Sequence, residues 1–171
     1  AVIVQDLGVV RMLRQAAPDL PIHGSTQMTV HSLPGVQLCA AMGLKRVVLS
    51  RELSREEIRY ICANSPIEIE VFVHGALCMC YSGQCYLSSA IGGRSGNRGR
   101  CAQPCRLPYG VNEPAKKNYP LSLKDSCLAD RLGEMAEMGV ACLKLEGRMK
   151  RPEYVAVITR IYARLLAEGR R

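Results

Sequence analysis

The sequence predicts an α/β fold with a parallel sheet, because short apolar runs alternate with segments of helical period along its 171 residues. Six runs rich in Val and Ile are strand candidates, and their successive starts differ by 20, 25, 21, 52 and 22 residues. So regular a spacing is typical of strand–helix units whose strands pair in parallel. The candidates are AVIV at Ala1, PIHGS at Pro21, RVVLS at Arg46, IEIEVFV at Ile67, YPLSL at Tyr119 and ACLKLE at Ala141.

Three of the intervening segments carry helix end signals. Ser54 stands three residues before Glu57 and predicts a capping box at the start of a helix. The segment LADRLGEMAEMG has apolar residues three and four apart and ends at Gly139, a residue suited to the left-handed turn after a helix. The last helix is predicted to begin at Pro152 and to end at Gly169.

The number of strands predicts an incomplete barrel. A closed (β/α) barrel of eight units needs about 250 residues, and this chain offers six strands in 171 residues. We therefore expect residues 1–171 to form a partial, TIM-barrel-like (β/α) domain that lacks its N-terminal two or three units. An open, doubly wound sheet is the alternative, and the spacing alone does not exclude it.

The 52-residue interval predicts an insertion at about residues 75–110 that holds five cysteines. It follows the strand EVFVHG directly, so it lies at the carboxyl edge of the predicted sheet, where α/β enzymes build their active sites. The chain has an odd number of cysteines, nine, together with many regular helix and strand patterns, so a small secreted disulfide scaffold is not expected. Clustered cysteines in a cytoplasmic protein more often bind metal or carry redox chemistry.

Four of the inserted cysteines, Cys78, Cys85, Cys101 and Cys105, form the pattern C-x6-C-x15-C-x3-C. Four thiolates suit either tetrahedral zinc or a 4Fe-4S cluster, and the spacing does not separate the two. Cys80 competes for a place among the ligands.

The cysteines outside the insertion invite a simpler interpretation. Cys39, Cys62 and Cys142 each fall within a helix or strand pattern. We expect them to be small buried side chains, which is the usual role of a free cysteine in a regular element.

The same insertion is strongly basic. The chain carries a net charge of +8, and no acidic residue occurs between Ile91 and Leu107. Arginine binds phosphate in a bidentate manner and stacks on unpaired bases, which predicts RNA as a partner. The alternative is an ordinary solvated loop. The arginines are Arg94, Arg98, Arg100 and Arg106.

Polar residues at the strand ends predict the rest of a site, since such residues meet at one face of a barrel. The candidates for catalysis are Asp6, Gln27, Glu52, His74, Lys124, Asp125 and Glu146. Arg51 and Arg148 are expected to bind an anionic co-substrate, although each also suits an ordinary salt bridge.

The sequence resembles peptidase family U32, the so-called collagenase-like proteases, along nearly its whole length. EVFVHGALCMCYSGQCYLSS resembles the family signature, and GGRSGNRGRCAQPCR, SLKD and LKLEGRMKRPEYV follow in the family's order. Upstream, VIVQDLG, STQM and VVLSREL fit the same family.

The resemblance implies a function beyond the family's name. Several members are oxygen-independent hydroxylases that modify a tRNA uridine, a cytidine of 23S ribosomal RNA or a ubiquinone precursor. These members hold a 4Fe-4S cluster, and the RNA-modifying ones take the hydroxyl oxygen from prephenate. The segment IGGRSGNRGRCAQPCR is most similar to the ribosomal RNA branch.

The resemblance also implies the ligands. Cys78, Cys85 and Cys101 match ligand positions shared across the family, and Cys105 matches the partner found in the RNA-modifying branches. Cys127 is the substitute for Cys105. Cys80 is implied to be a non-ligand.

Two other functions stay open at this point. A peptidase would need a nucleophile beside a base, and His74 lies four residues before Cys78, but the chain has only two other histidines. A non-catalytic RNA-binding module with structural zinc would need only the basic charge and a rigid fold.

Overall fold

A computed structural model describes residues 1–110, 118–147 and 149–169. Strands and helices alternate along most of the chain. The strands are β1 (Val2–Val4), β2 (Ile22–Gly24), β3 (Arg46–Val48), β4 (Glu68–Gly75), β5 (Ser126–Cys127) and β6 (Cys142–Leu145). The helices are α1 (Leu7–Ala16), α2 (Leu33–Ala41), α3 (Arg55–Asn64), α4 (Leu87–Gly92), α5 (Leu132–Glu137) and α6 (Pro152–Glu168). Short 3-10 turns occupy Thr26–Met28, Pro104–Arg106 and Ala129–Arg131.

The main sheet is parallel, as predicted, and its strand order follows the chain. β1 pairs with β2, β2 with β3, β3 with β4 and β4 with β6, each in parallel. A doubly wound sheet would reverse its order at a switch point, and this order does not reverse. Within the described ranges the sheet does not close, because β1 and β6 each pair with a single neighbour.

The strand predicted at YPLSL is wrong. Tyr119 to Leu123 form a turn and irregular backbone instead. The nearest strand, β5, has only two residues and pairs antiparallel with His74 and Gly75 at the end of β4. A further parallel strand would have to pair with the edge of β4 that β6 already occupies. The apolar run YPLSL therefore does not join the sheet.

The predicted helix ends are confirmed. Ser54 and Glu57 form both halves of the capping box at the start of α3. Gly139 follows α5 with a φ of +83°, a conformation that glycine adopts without a steric penalty. Pro152 is the first residue of α6, and Gly169 ends that helix.

The core lies between the sheet and its helices, and β4 shows how the sequence divides the two faces. Ile69, Val71 and Val73 are buried among apolar side chains of the core. Glu70 alternates with them and has a side chain only 5% exposed, and its carboxylate accepts hydrogen bonds from Lys144 at 2.5 Å and from Arg46 at 3.5 Å. At β4, one face of the sheet is therefore apolar, and the other carries charged side chains that form ion pairs.

The pairing of β4 with β6 is irregular near the end of β4. The register with β6 shifts between Phe72 and His74. His74 Nδ1 then lies 3.2 Å from Tyr162 Oη of α6, and Tyr162 also donates to the carbonyl of Val73 at 2.9 Å. His74 therefore contacts α6.

None of the helices in the described residues is both long and apolar enough to span a membrane.

We expect replacement of Ser54 by Ala to lower the free energy of unfolding by about 1 kcal/mol, because α3 then loses the hydroxyl that caps its first turn. Urea denaturation measures the change. The matched control is Ser54→Asp, whose carboxylate still accepts from the amide of Glu57 and should restore most of the stability. Equal stability of Ser54→Ala and the unaltered protein would contradict a role for the capping box.

Candidate metal and nucleic-acid site

The site is organised around Arg51, which follows β3 and contacts residues that follow two other strands. Its Nη1 donates to Cys78 Sγ at 3.0 Å, and its Nη2 forms an ion pair with Glu146. Its guanidinium carbon lies 4.0 Å from the centre of the Phe72 ring, within the range of a cation–π contact. Arg51, Cys78 and Glu146 therefore converge at the carboxyl ends of β3, β4 and β6, as predicted from their positions after strands.

Glu52 fixes the first part of the cysteine insertion. One oxygen of its carboxylate accepts from the amide of Ser82 at 3.2 Å, and the other accepts from the Ser82 hydroxyl at 3.0 Å. Ser82 is only 2% exposed, and its hydroxyl oxygen also accepts from the amide of Arg51 at 3.1 Å. Thr29 donates to the Ser82 carbonyl at 2.8 Å. These contacts place Glu52 as an anchor of the insertion.

Gln27 holds the insertion at a second point. Gly83 has a φ of +77°, and a Cβ built there would lie 2.6 Å from the carbonyl oxygen of Gln27. Asn97 donates to the carbonyl of Gly83 at 3.1 Å, and the Gln27 amide donates in turn to the carbonyls of Asn97 at 3.2 Å and Gly96 at 3.4 Å. The close backbone approach at Gly83 joins the two halves of the insertion to the turn after β2.

Three of the predicted ligands, Cys78, Cys85 and Cys101, lie near enough to the fourth, Cys105, for their charges to act on its thiol. Burial raises the pKa of the Cys105 thiol, Arg106 lowers it, and the nearby thiols of Cys101, Cys78 and Cys85 raise it further. Cys78 is exposed, whereas the other three are half-buried. Over residues 1–110, 118–147 and 149–169, no three His, Cys, Asp or Glu side chains lie close enough to share a single metal ion.

Cys80 also lies beside this group. Burial raises the pKa of its thiol, and Cys85 and Cys78 raise it further through their charges and, for Cys85, through a hydrogen bond between the two side chains. Cys80 therefore lies near two of the four predicted ligands, Cys78 and Cys85.

Cys127 and His74 both lie beside Tyr162 of α6. Cys127 Sγ lies 4.0 Å from Tyr162 Oη, the same hydroxyl that lies near His74 Nδ1. Burial, followed by the hydrogen bond and charge of Cys127, raises the pKa of Tyr162 to about 12. Both residues therefore contact a buried tyrosine of α6.

Arg106 differs from the other arginines of the insertion, because it ties two segments of the backbone together. Its guanidinium donates to the carbonyls of Leu77 at 3.1 Å and Leu123, to the hydroxyl of Ser122 at 3.0 Å and to the carboxylate of Asp125 at 3.3 Å. Asp125, a predicted catalytic residue, is thus the ion-pair partner of Arg106, and the adjacent Lys124 is exposed.

The other predicted residues divide into three groups. Arg94, Arg98 and Arg100 are exposed, and Arg94 donates to the carbonyl of Arg100 at 2.8 Å. Asp6 caps α1 by accepting from the amide of Val9 at 2.9 Å. Arg148 lies outside the described residues.

Three residues of the site were missed by the sequence analysis. Ser82 and Asn97 anchor the insertion, and the Phe72 ring lies against the face of the Arg51 guanidinium. Phe72 is the single phenylalanine of the chain and lies two residues before His74, which is the one signal that could have drawn attention to it.

The fold and the site together define a (β/α) domain with a cysteine-rich, arginine-rich insertion at the carboxyl edge of its parallel sheet. The chain belongs to peptidase family U32, whose model matches residues 1–170.

Its relatives carry two kinds of name. The chain is 40% identical, over 97% of its length, to the 23S rRNA 5-hydroxycytidine C2501 synthase of Escherichia coli (strain K12), and 39% identical over 96% to the tRNA hydroxylation protein P1 of Bacillus subtilis (strain 168). It is also 33% identical, over 95% of its length, to a protein of Porphyromonas gingivalis named collagenase. The chain covers 26%, 42% and 43% of these three proteins, and so spans less than half of each.

A solved structure supports the fold. The structure of a U32 peptidase superposes with a TM-score of 0.50 at 15% sequence identity, and the match covers 86% of this chain and 54% of the other.

Gly83 offers a test of how the insertion is attached. We expect Gly83→Ala to lower stability by about 1–2 kcal/mol through its positive φ and, in addition, to push the insertion away from Gln27. Gly93→Ala is the matched control, because Gly93 also has a positive φ, of +65°, but open space around its Cβ position. Hydrogen exchange of the amides at residues 80–100 should accelerate in the first variant more than in the second. Equal acceleration would show that the close approach to Gln27 does not hold the insertion.

Proposed function

We propose that the protein acts as an RNA hydroxylase of the oxygen-independent kind, with a cytidine of ribosomal RNA or a uridine of tRNA as its substrate. The observation that carries the proposal is an insertion in which Cys78, Cys85 and Cys101 lie near Cys105, Cys78 accepts from Arg51, and further arginines are exposed. The names of the ribosomal RNA and tRNA relatives support the same chemistry. An RNA substrate is consistent with a cytoplasmic protein.

The residues fit a 4Fe-4S cluster by the chemistry of their donors. Cys78, Cys85, Cys101 and Cys105 supply four thiols on one insertion, and such a cluster takes four thiolates. When bound, the cluster would supply electron transfer or substrate activation. Cys105 is favoured over Cys127 as the fourth ligand, because Cys105 neighbours the other three thiols whereas Cys127 contacts Tyr162.

The chain's own side chains would serve the substrate in two ways. Arg94, Arg98 and Arg100 are exposed and suited to bind the phosphates of an RNA strand. The new hydroxyl oxygen would come from an organic donor, for which prephenate is our proposal. Its two carboxylates need cations, and Lys124 is exposed at this edge of the sheet.

Direct peptidase activity is the weaker alternative. The one histidine near the cysteines in sequence, His74, makes its ring contacts with Tyr162 and Tyr154 of α6. A cysteine nucleophile needs a base within hydrogen-bond reach, and His74 is turned towards other partners.

The metal content is the first test of this function. We expect protein purified without oxygen to contain about four iron and four sulfide per chain, and both to fall sharply on Cys78→Ala or Cys101→Ala. The matched control is Cys62→Ala, a half-buried cysteine of α3, which should keep the cluster. Iron and sulfide assays, a zinc assay and the absorption spectrum provide the measurements.

The outcomes of that test separate the candidate functions. Iron and sulfide in equal amounts, followed by prephenate-dependent hydroxylation of RNA, would support the hydroxylase. Stoichiometric zinc without iron would contradict it and favour an RNA-binding module with a structural metal. Release of peptides from gelatin by metal-free protein would favour the peptidase.

The arginines predict a salt-dependent affinity for single-stranded RNA. We expect Arg98→Gln combined with Arg100→Gln to weaken binding and to reduce the slope of log K against log salt by about 0.7 for each phosphate that is no longer neutralised. Arg59→Gln, which removes an exposed arginine of α3, is the control and should leave the slope unchanged. Fluorescence anisotropy at several salt concentrations measures both. An unchanged slope in the double variant would remove these two arginines from the RNA-binding surface.

A further inference from the structure

We propose that Arg51 controls the reduction potential of the metal centre through its hydrogen bond to Cys78, and that Glu146 moderates this effect. The inference rests on the proposed function, since it takes Cys78 to be a ligand of an iron–sulfur cluster. It assigns Arg51 a role as a positioning and tuning residue, in place of the co-substrate binding that its place after a strand predicts.

The geometry directs one arm of the guanidinium at the ligand sulfur. Arg51 Nη1 lies 3.0 Å from Cys78 Sγ and donates to it, while Nη2 is occupied by the carboxylate of Glu146. The face of the guanidinium is covered by the Phe72 ring at 4.0 Å. These contacts leave little of the Arg51 guanidinium available to bind an incoming anion.

The cation is held in a fixed and largely dry position. The Arg51 side chain is 13% exposed, and its Nε is buried without a hydrogen-bond partner in the described structure. The backbone is fixed as well, because the Arg51 amide donates to the buried hydroxyl of Ser82 at 3.1 Å. A charge that is shielded from water acts more strongly on its neighbours than an exposed one.

The direction of the effect follows from charge. Reduction adds an electron to a cluster and makes it more negative, and hydrogen bonds and positive charge near its sulfurs stabilise the reduced form. Arg51 therefore raises the reduction potential. The Glu146 carboxylate offsets part of the positive charge, so its removal should raise the potential further.

The structure predicts opposite shifts for two substitutions at the same site. Arg51→Gln removes the charge next to Cys78 and should move the potential to more negative values. Glu146→Gln keeps Arg51 and its hydrogen bond to sulfur but removes the offsetting charge, and should move the potential to more positive values. Arg11→Gln is the control, because it changes the net charge by the same amount at an exposed position of α1 and should cause no shift.

The measurement is an anaerobic redox titration of each purified protein, followed by absorption or electron paramagnetic resonance, after iron and sulfide have been counted. Opposite shifts in the two variants and none in Arg11→Gln would support the proposal. If Arg51→Gln fails to retain iron, Glu146→Gln decides by itself, since it leaves Cys78 and its donor intact.

Failure of this inference is distinct from failure of the proposed function. Unaltered protein that contains no iron would overturn the proposed cluster, and the inference with it. Unaltered protein that contains the cluster, with the same potential in Glu146→Gln and Arg51→Gln, would overturn the role of Arg51 alone.

Discussion

The interaction of Arg51 with Cys78 and Glu146 is the one on which the arrangement of the site depends. Each of these residues follows a different strand, and the short parallel strands β3, β4 and β6 bring their carboxyl ends to one edge of the sheet. The cation lies between a sulfur and a carboxylate and is covered by an aromatic ring. Without it, the half-buried carboxylate of Glu146 would lose its ion-pair partner at this edge of the sheet, and a partly buried charge left unpaired is costly.

The insertion illustrates how a long segment without strands keeps a defined shape. It is attached to the rest of the fold by polar side chains that bind backbone groups: Glu52 binds Ser82, Gln27 binds Asn97, and Arg106 binds the carbonyl of Leu123. Backbone amides and carbonyls that leave regular structure need such partners, because an unpaired buried group is costly. Glu52 and Gln27, which the sequence analysis placed among the catalytic candidates, thus contribute by holding the cysteines in position.

His74 and Cys78 lie close together in sequence, at and just after the end of β4, but their side chains contact different parts of the molecule. His74 and Cys78 are four residues apart, yet His74 turns to Tyr162 of α6 and Cys78 turns to Arg51. The pairing of β4 with β6 shifts its register between Phe72 and His74, so both side chains lie at or beyond an irregular part of the strand. A histidine and a cysteine close in sequence therefore serve separate parts of the molecule.

The sequence by itself determined the alternation of strands and helices, the helix ends and the place of the insertion, because these depend on local periodicity and on the chemistry of single residues such as Ser54, Gly139 and Pro152. It also identified the strand-end residues Arg51 and Glu146, since all parallel strands direct their carboxyl ends to one edge. Only the tertiary structure decided that YPLSL is not a strand, because that outcome depends on which edge of β4 is already occupied. The tertiary structure likewise decided that Arg51 contacts Cys78 and that Asp6 caps a helix, because hydrogen-bond partners are selected by distance in the folded chain, which residue spacing does not encode.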